Sequence, residues 1–499
     1  MSRVQSAALL GVDGVPVEVE VRISPHLPRV DIVGLPAAAV RESAARVRSA
    51  IQAIGHRFPQ ERVTVNLAPA ELRKTGTGLD LPIAVAILCQ SGAFEPAPLA
   101  GLGLFGELSL DGRLRPVRGA LALALAVREA GARRVIVPEA NGEESALAPG
   151  LDTFVAADLS AVVRHLLGAG ALDRVERRGL PDARLPQPDL DEVRGQETAK
   201  RALEVAAAGG HALLLRGAPG SGKTMLARRL PGVLPPLDTE EALEVAKIRG
   251  AAGLRDVPTT ARPFRAPHHT ASAAGLLGGR NPPVPGEVSL AHRGVLFLDE
   301  LPEFERRGLE SLRQVLEERR VVVARAGARC VFPADFQLAA ATNPCPCGWR
   351  GSGRRDCLCD DGAVRRYGAR ISGPLLDRID LHVDVRPLRW RDLDDGPRGE
   401  TSAQVRERVA RAREGQQRRA GVTNARLPDR ELERVAAATP EARALLGRAV
   451  DRFALSARAA RRALKVARTI ADLSHDACVG APAMAEALAY RPEVPGGDG

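Results

Sequence analysis

Apolar and polar positions fall into three regimes along the chain. Up to about residue 165, short runs such as VPVEVEVRI and RVTVNLAP place an apolar residue at every second position, which predicts half-buried strands. Between them lie LPIAVAILCQSG and ALALALAVREAGA, apolar stretches with helical character, so this block reads as α+β. The segment RRGLPDARLPQPDLDE (177–192) combines proline and charge with no period and reads as a linker. From about 190 to 395, strand-like runs alternate with helical ones, the pattern of a parallel sheet covered by helices. Beyond about 400 the pattern is helical throughout and rich in Ala and Arg. No solenoid-type repeat is present. The expected organisation is an N-terminal domain over 1–170, a linker over 171–190, an α/β core over 191–395 and an all-α lid over 396–499.

One strand breaks its own pattern. In SLAHRGVLFLDELPEF (289–304), four apolar residues, Val295 to Leu298, run into two adjacent carboxylates, Asp299 and Glu300. A buried strand ends in paired acids when something there needs them. The segment ALLLRGAPGSGKTML (212–226) supplies the need. Gly217, Ala218, Pro219, Gly220, Ser221, Gly222, Lys223 and Thr224 fit G-x-x-x-x-G-K-[ST], after an apolar strand and at the start of a helix. The glycines let backbone N–H groups wrap phosphates, and the helix N-terminus adds its positive dipole. Lys223 brings a point charge to the β- and γ-phosphates, and Thr224 a hydroxyl to Mg²⁺. Asp299 is then placed to hold Mg²⁺ through water, and Glu300 to polarise the attacking water. Such a pair beside a phosphate loop marks an ATP hydrolase more than a kinase.

Three further positions complete the set. Asn343 ends the apolar run of FQLAAATNPCPCG and suits orientation of the lytic water. Arg378, in ISGPLLDRIDLHV, has a local salt bridge to Asp377 or Asp380 as its plain reading; in this order after the other elements it reads as an arginine finger acting on a neighbouring subunit's ATP, which implies a ring. Arg458 opens a helix of the last block, from which it reaches the γ-phosphate as part of a lid, with Arg461 and Arg462 as neighbouring alternatives.

Composition narrows the setting. The chain has 499 residues, 45% of them hydrophobic and only 3% aromatic, so its cores rest on Ala, Leu and Val. No apolar run reaches the roughly 18 residues of a membrane span, and the start MSRVQSAALLGVDGVPVEVEV lacks a signal-peptide layout. Seven cysteines, an odd number, argue against a secreted disulfide scaffold, so a cytoplasmic location without a membrane partner is expected. The net charge of +10 points to an anionic partner, and it is localised: residues 401–470 carry 17 Arg or Lys against 7 Asp or Glu. Solvated helix faces are the bland account of that excess. Cys345, Cys347, Cys357 and Cys359 form C-x-C-x₉-C-x-C, a set able to close a structural Zn²⁺ site, with free thiols in a reducing cytosol as the alternative. His268 and His269 stay unassigned.

The ordered motifs GAPGSGKT, FRAPHHTAS, PGEVSLAHRGVLFLDE, RRVVVARAGARCVFPADF, TNPCPCG and GPLLDRIDLHVDV resemble the AAA+ ATPases of the magnesium-chelatase and MCM-helicase branch. With the N-terminal block, the chain resembles the ComM/YifB family over nearly its full length. The resemblance implies a multidomain α/β fold: a Lon-protease-like α+β domain, an AAA+ core and a helical lid. It also implies two hairpin insertions facing a ring channel, around Phe264–Gly279 and Arg319–Arg329. The second offers Arg319, Arg320, Arg325 and Arg329 as DNA contacts, or is an exposed basic β-turn. Residues 76–140 resemble the Lon protease domain, but the Ser nucleophile position falls at Gly78 and the Lys position near Leu121. Lys74 lies before the turn and Ser91 beyond the helix, so a peptidase is not expected. The implied function is a hexameric, ATP-driven DNA motor that migrates branched junctions during natural transformation, alongside recombination proteins. The alternatives are a protein remodeller or regulatory ATPase with a protein client, and a chelatase-type motor that inserts Mg²⁺ into a porphyrin.

Overall fold

A computed structural model describes residues 2–177, 179, 188–255, 259–280, 282–325, 328–388 and 399–491. The N-terminal block is built on an eight-stranded mixed sheet. Its order is Asp173–Val175, Asp152–Ala156, Arg134–Pro138, Leu102–Leu104, Ser2–Leu10, Asp13–Ser24, Arg62–Ala68 and Arg29–Val33. The chain opens with an antiparallel hairpin running from Ser2↔Val21 to Leu10↔Asp13. The helix Asp80–Gln90 is buried from Asp80 to Cys89, as a helix apolar all round must be. The helix Ala120–Glu129 packs on the opening hairpin and is buried along most of its length.

The segment expected to be linker from residue 171 begins instead as sheet. Asp173–Val175 pairs antiparallel with Thr153–Val155, and Arg174 forms an ion pair with Asp152. Three residues with one apolar side chain carry no period, which is why the pattern does not reveal this edge strand. Residues 178 and 180–187 of the expected linker, and the expected core–lid boundary at 395–396, lie outside the described residues.

The core is a five-stranded sheet, parallel at every pairing, in the order Phe264–Arg265, Val295–Leu298, Gln337–Thr342, Leu213–Arg216, Leu381–Asp384. Val295–Leu298 and Gln337–Thr342 are buried at every residue. A parallel sheet covered on both faces requires such continuous apolar runs rather than alternation. One face packs against the helix Glu197–Gly209 and the C-terminal helices in a shared core. The other meets the helix Arg306–Glu318 and the hairpin Arg320–Arg325/Ala328–Pro333.

The last block is helical, with Ser402–Ala420, Asp429–Ala436, Pro440–Phe453, Ala457–Leu473 and Ala481–Ala489. Thr401, Thr439 and Ser456 cap three of these helices, each accepting a backbone N–H at the third helical position. Among the described residues, no helix is long and apolar enough to cross a membrane.

The N-terminal block touches the core at defined points. Val12, in the turn of the opening hairpin, joins the core that includes Val321, Val323, Cys330 and Phe332 of the second hairpin. Ala246 of the helix Thr239–Ala252 enters the core around Ala120–Glu129, and the Gly119 amide donates to Gly250 O at 3.0 Å.

Candidate active site

The loops that leave the C-terminal ends of the parallel strands converge at the phosphate-loop motif, the usual ligand position in an open α/β sheet. Leu213–Arg216 lies between Gln337–Thr342 and Leu381–Asp384, so both neighbouring strands shape the loop that follows it. The Gly217 amide donates to Thr342 O at 3.1 Å. A Cβ on Gly217 would stand 2.3 Å from Val385 O, so only glycine fits there. Gly220 and Gly222 take φ of +72° and +98°, in the left-handed region glycine adopts without a Cβ clash.

Lys223 opens the helix Lys223–Ala227. Its Nζ donates to Gly217 O (2.8 Å), Ala218 O (2.9 Å) and Asn343 Oδ1 (3.1 Å). Burial draws its pKa down, and the charges of Asp299 and Glu300 oppose that shift. Thr224 Oγ1 donates to Asp299 Oδ2 at 2.6 Å. Hydroxyl and carboxylate oxygens so close together match the hard-oxygen preference of Mg²⁺, which is held by one or two protein groups plus phosphates and water. Glu300 is half exposed, at φ 53°, ψ 47°, and its amide donates to Asp299 Oδ1 at 3.0 Å. A left-handed glutamate is uncommon and is kept where its surroundings over-determine it. His269 Nδ1 lies 3.3 Å from Glu300 Oε2.

The structure thus brings Lys223, Thr224, Asp299, Glu300 and Asn343 together. Arg378 and Arg458 meet elsewhere, both on Glu317 at the end of Arg306–Glu318. The Arg458 contact is 2.8 Å; the Arg378 side chain is 8% exposed and also donates to Pro374 O at 2.5 Å. These guanidinium groups, Arg458 foremost, hold the Glu317 carboxyl below the usual carboxylate range. Neither arginine has a hydrogen bond or ion pair to the phosphate loop of its own chain among the described residues. The local salt bridge weighed for Arg378 is therefore to Glu317, not to Asp377 or Asp380. Arg461 pairs with Asp429 and Arg462 with Asp380, both at 2.9 Å. Asp380 also meets His211 Nδ1 at 3.1 Å, and His211 Nε2 meets Thr469 Oγ1 at 2.8 Å. Burial would raise Asp380, but the His211 hydrogen bond and the charges of Arg462 and Arg491 win and hold it at about 2.

Sequence reasoning missed His269 as a neighbour of Glu300, although the His-His pair stood out; it also missed Glu317, for which no local signal exists. The expected DNA arginines divide. Arg319 is the residue that ends the helix Arg306–Glu318, with φ 55°, 3.9 Å from Asp335, so it sits at the base of the hairpin and not on it. Arg320 is 58% exposed, 3.4 Å from Glu318, and Arg329 is exposed on the return strand. The side chain of Arg325 lies outside the described residues.

The four cysteines cluster with all Sγ atoms within 4.8 Å of one another. The Trp349 amide draws the Cys347 thiol down to about 6. In the N-terminal block, Leu121 is fully buried and a Cβ on Gly78 would meet only Val117. Lys74 is fully buried, its Nζ donating to Gly34 O at 3.0 Å, to Leu67 O at 2.8 Å and to Pro69 O.

Comparison with known proteins assigns the class. Residues 189–393 match the family described as magnesium chelatase, subunit ChlI; residues 399–491 match its C-terminal region, and residues 19–141 match the family described as subunit ChlI of Mg-chelatase. YifB of Salmonella typhimurium is 45% identical over 98% of this chain and 96% of its own length. The competence protein ComM of Haemophilus influenzae is 44% identical over 98% and 97%. A magnesium-chelatase 67 kDa subunit of Chlorobaculum tepidum is 28% identical over 40% of this chain and 26% of its own. The chain belongs to the ComM/YifB family of magnesium-chelatase-like proteins.

Proposed function

We propose that this chain is a Mg²⁺-dependent ATP hydrolase that assembles as a hexameric ring and drives DNA through its channel. The observation that carries the reading is the 2.6 Å contact between Thr224 and Asp299, with Glu300 beside them and Lys223 on Asn343. Thr224 and Asp299 would hold Mg²⁺, which would supply charge to offset the phosphates. Lys223 exchanges its carbonyl partners for phosphate oxygens. Glu300 accepts a proton from the attacking water, and the Asn343 amide orients that water. Arg378 acts on the ATP of the next subunit and Arg458 on the γ-phosphate from the lid, so both must leave Glu317.

DNA as the cargo is supported by the basic excess over 401–470 and by exposed Arg320 and Arg329. The relative named a competence protein favours junction migration while incoming DNA is recombined, with recombination proteins as partners. The N-terminal block is read as an inactive Lon-like fold that serves assembly or DNA contact. A protein client is the second reading, favoured by three exposed apolar residues, Val33 in the edge strand Arg29–Val33 and Leu27 and Leu35 just before and after it.

The test is the ATPase rate of the purified chain with and without single-stranded and four-way-junction DNA at two salt concentrations. Stimulation that fades with salt supports the motor. A rate indifferent to DNA moves the assignment to a protein client.

A further inference from the structure

Cys345, Cys347, Cys357 and Cys359 stand beside the phosphate loop, although chain distance alone does not require it. Sγ of Cys345 is 3.4 Å from that of Cys347 and 3.6 Å from that of Cys357, and Cys347 is 3.6 Å from Cys357. Disulfide sulfurs lie about 2.05 Å apart, so these are separate thiols. Thiolates about 2.3 Å from a tetrahedral zinc ion are about 3.8 Å apart, close to the spacings found here. Cys345 is fully buried. Arg350 and Arg355 lie within the loop, the first 2.8 Å from Asp361 and the second stacked 4.9 Å from the Trp349 ring centroid.

The loop is also pressed onto the nucleotide site. Gly348 follows Cys347 at φ +81°, and a Cβ there would lie 2.5 Å from Pro219 Cδ and 3.8 Å from Asn343 Cγ. Pro219 belongs to the phosphate loop, and Asn343 holds Lys223. A single residue, Pro344, separates Asn343 from Cys345.

We propose that the four cysteines bind one structural Zn²⁺ per chain, and that this metal knuckle holds Gly348 against Pro219 and so pre-shapes the phosphate loop for nucleotide. The second half rests on the ATP-site reading above; the first does not.

The test uses the full-length chain. Elemental analysis should give one zinc per chain, lost in the double variant Cys357→Ser, Cys359→Ser. Metal-stripped wild type reconstituted with Co²⁺ should show the intense visible absorption of a tetrahedral thiolate site, which keeps the test sound if the serine variant fails to fold. Stripping zinc should weaken a non-hydrolysable ATP analogue at least about tenfold, through lost pre-organisation. Gly348→Ala should weaken it similarly while retaining its zinc. Protein without zinc and without the Co²⁺ signature, or with iron in its place, overturns the metal site. Zinc present but analogue affinity unchanged by stripping and by Gly348→Ala overturns the coupling. Wild type that never binds the analogue instead removes the ATP-site reading and leaves the zinc measurement intact.

Discussion

Asp380→Asn probes how the C-terminal helices are fastened to the core. Asp380 precedes the strand Leu381–Asp384, while Arg462 and Thr469 lie on the helix Ala457–Leu473, so the carboxylate and His211 tie the two together. Asparagine keeps the shape and removes the charge, leaving Arg462 (18% exposed) facing a neutral group beside half-buried Arg491. Asp380 is held at about 2 against an ordinary 3.8. At 1.36 kcal/mol per pH unit this corresponds to about 2 kcal/mol. Removing one partner of a buried ion pair costs about 3–5 kcal/mol in known cases. We take about 2–4 kcal/mol, a roughly 30- to 700-fold rise in the opening equilibrium of that helix.

The assay is hydrogen exchange of the Ala457–Leu473 amides in wild type and variant. The folded pKa is depressed, so the stabilisation is fully present above about pH 4 and is lost as pH falls toward 2. The wild-type advantage should therefore be complete at pH 7 and shrink between about pH 4 and 2. Equal protection at pH 7, or a difference undiminished at pH 2, would refute the assignment of the fastening to this carboxylate.

Glu300→Gln should bind ATP as wild type does and lose about 10²- to 10⁴-fold in turnover; unchanged turnover would remove Glu300 from its role. Arg378→Ala should assemble yet hydrolyse poorly, with activity partly restored by mixing in Glu300→Gln subunits, measured under proven subunit exchange. Lys223→Ala should abolish binding of a fluorescent ATP analogue, since its ammonium is the positive charge at the loop. Arg320→Ala and Arg329→Ala should each reduce the salt slope of DNA affinity by about 0.9 if each meets one phosphate, and should change nothing if the hairpin only packs.

How much was legible follows from how far apart the cooperating residues stand. The phosphate loop was visible because strand, glycine turn and helix start occupy one continuous stretch, Leu213 to Ala227, each with its own local chemistry. Asp299 and Glu300 were visible because paired acids contradict the buried run before them. Asn343 was marked by a similar switch from apolar strand to polar end, and the C-x-C pairs by their composition. His269 was seen but had no partner, because nothing in its segment signals that Phe264–Arg265 pairs with Val295–Leu296 and so brings the residues after it toward Glu300.

The amino-acid order by itself therefore determined the local devices: alternating and continuous apolar runs, the phosphate loop, the acid pair and the helical, basic last block. These depend on neighbours within a turn or a strand, where backbone geometry is decided by the residues present. Tertiary structure alone decided which devices meet. The core strands stand in the order 264, 295, 337, 213, 381, so chain order does not give spatial order. That arrangement sets Lys223 on Asn343, closes Arg378 and Arg458 onto Glu317, turns the second hairpin toward Val12 and seats Gly348 on Pro219. Each of these contacts forms only when separate apolar surfaces bury one another, and burial acts without direction, leaving no mark on the short stretches it joins.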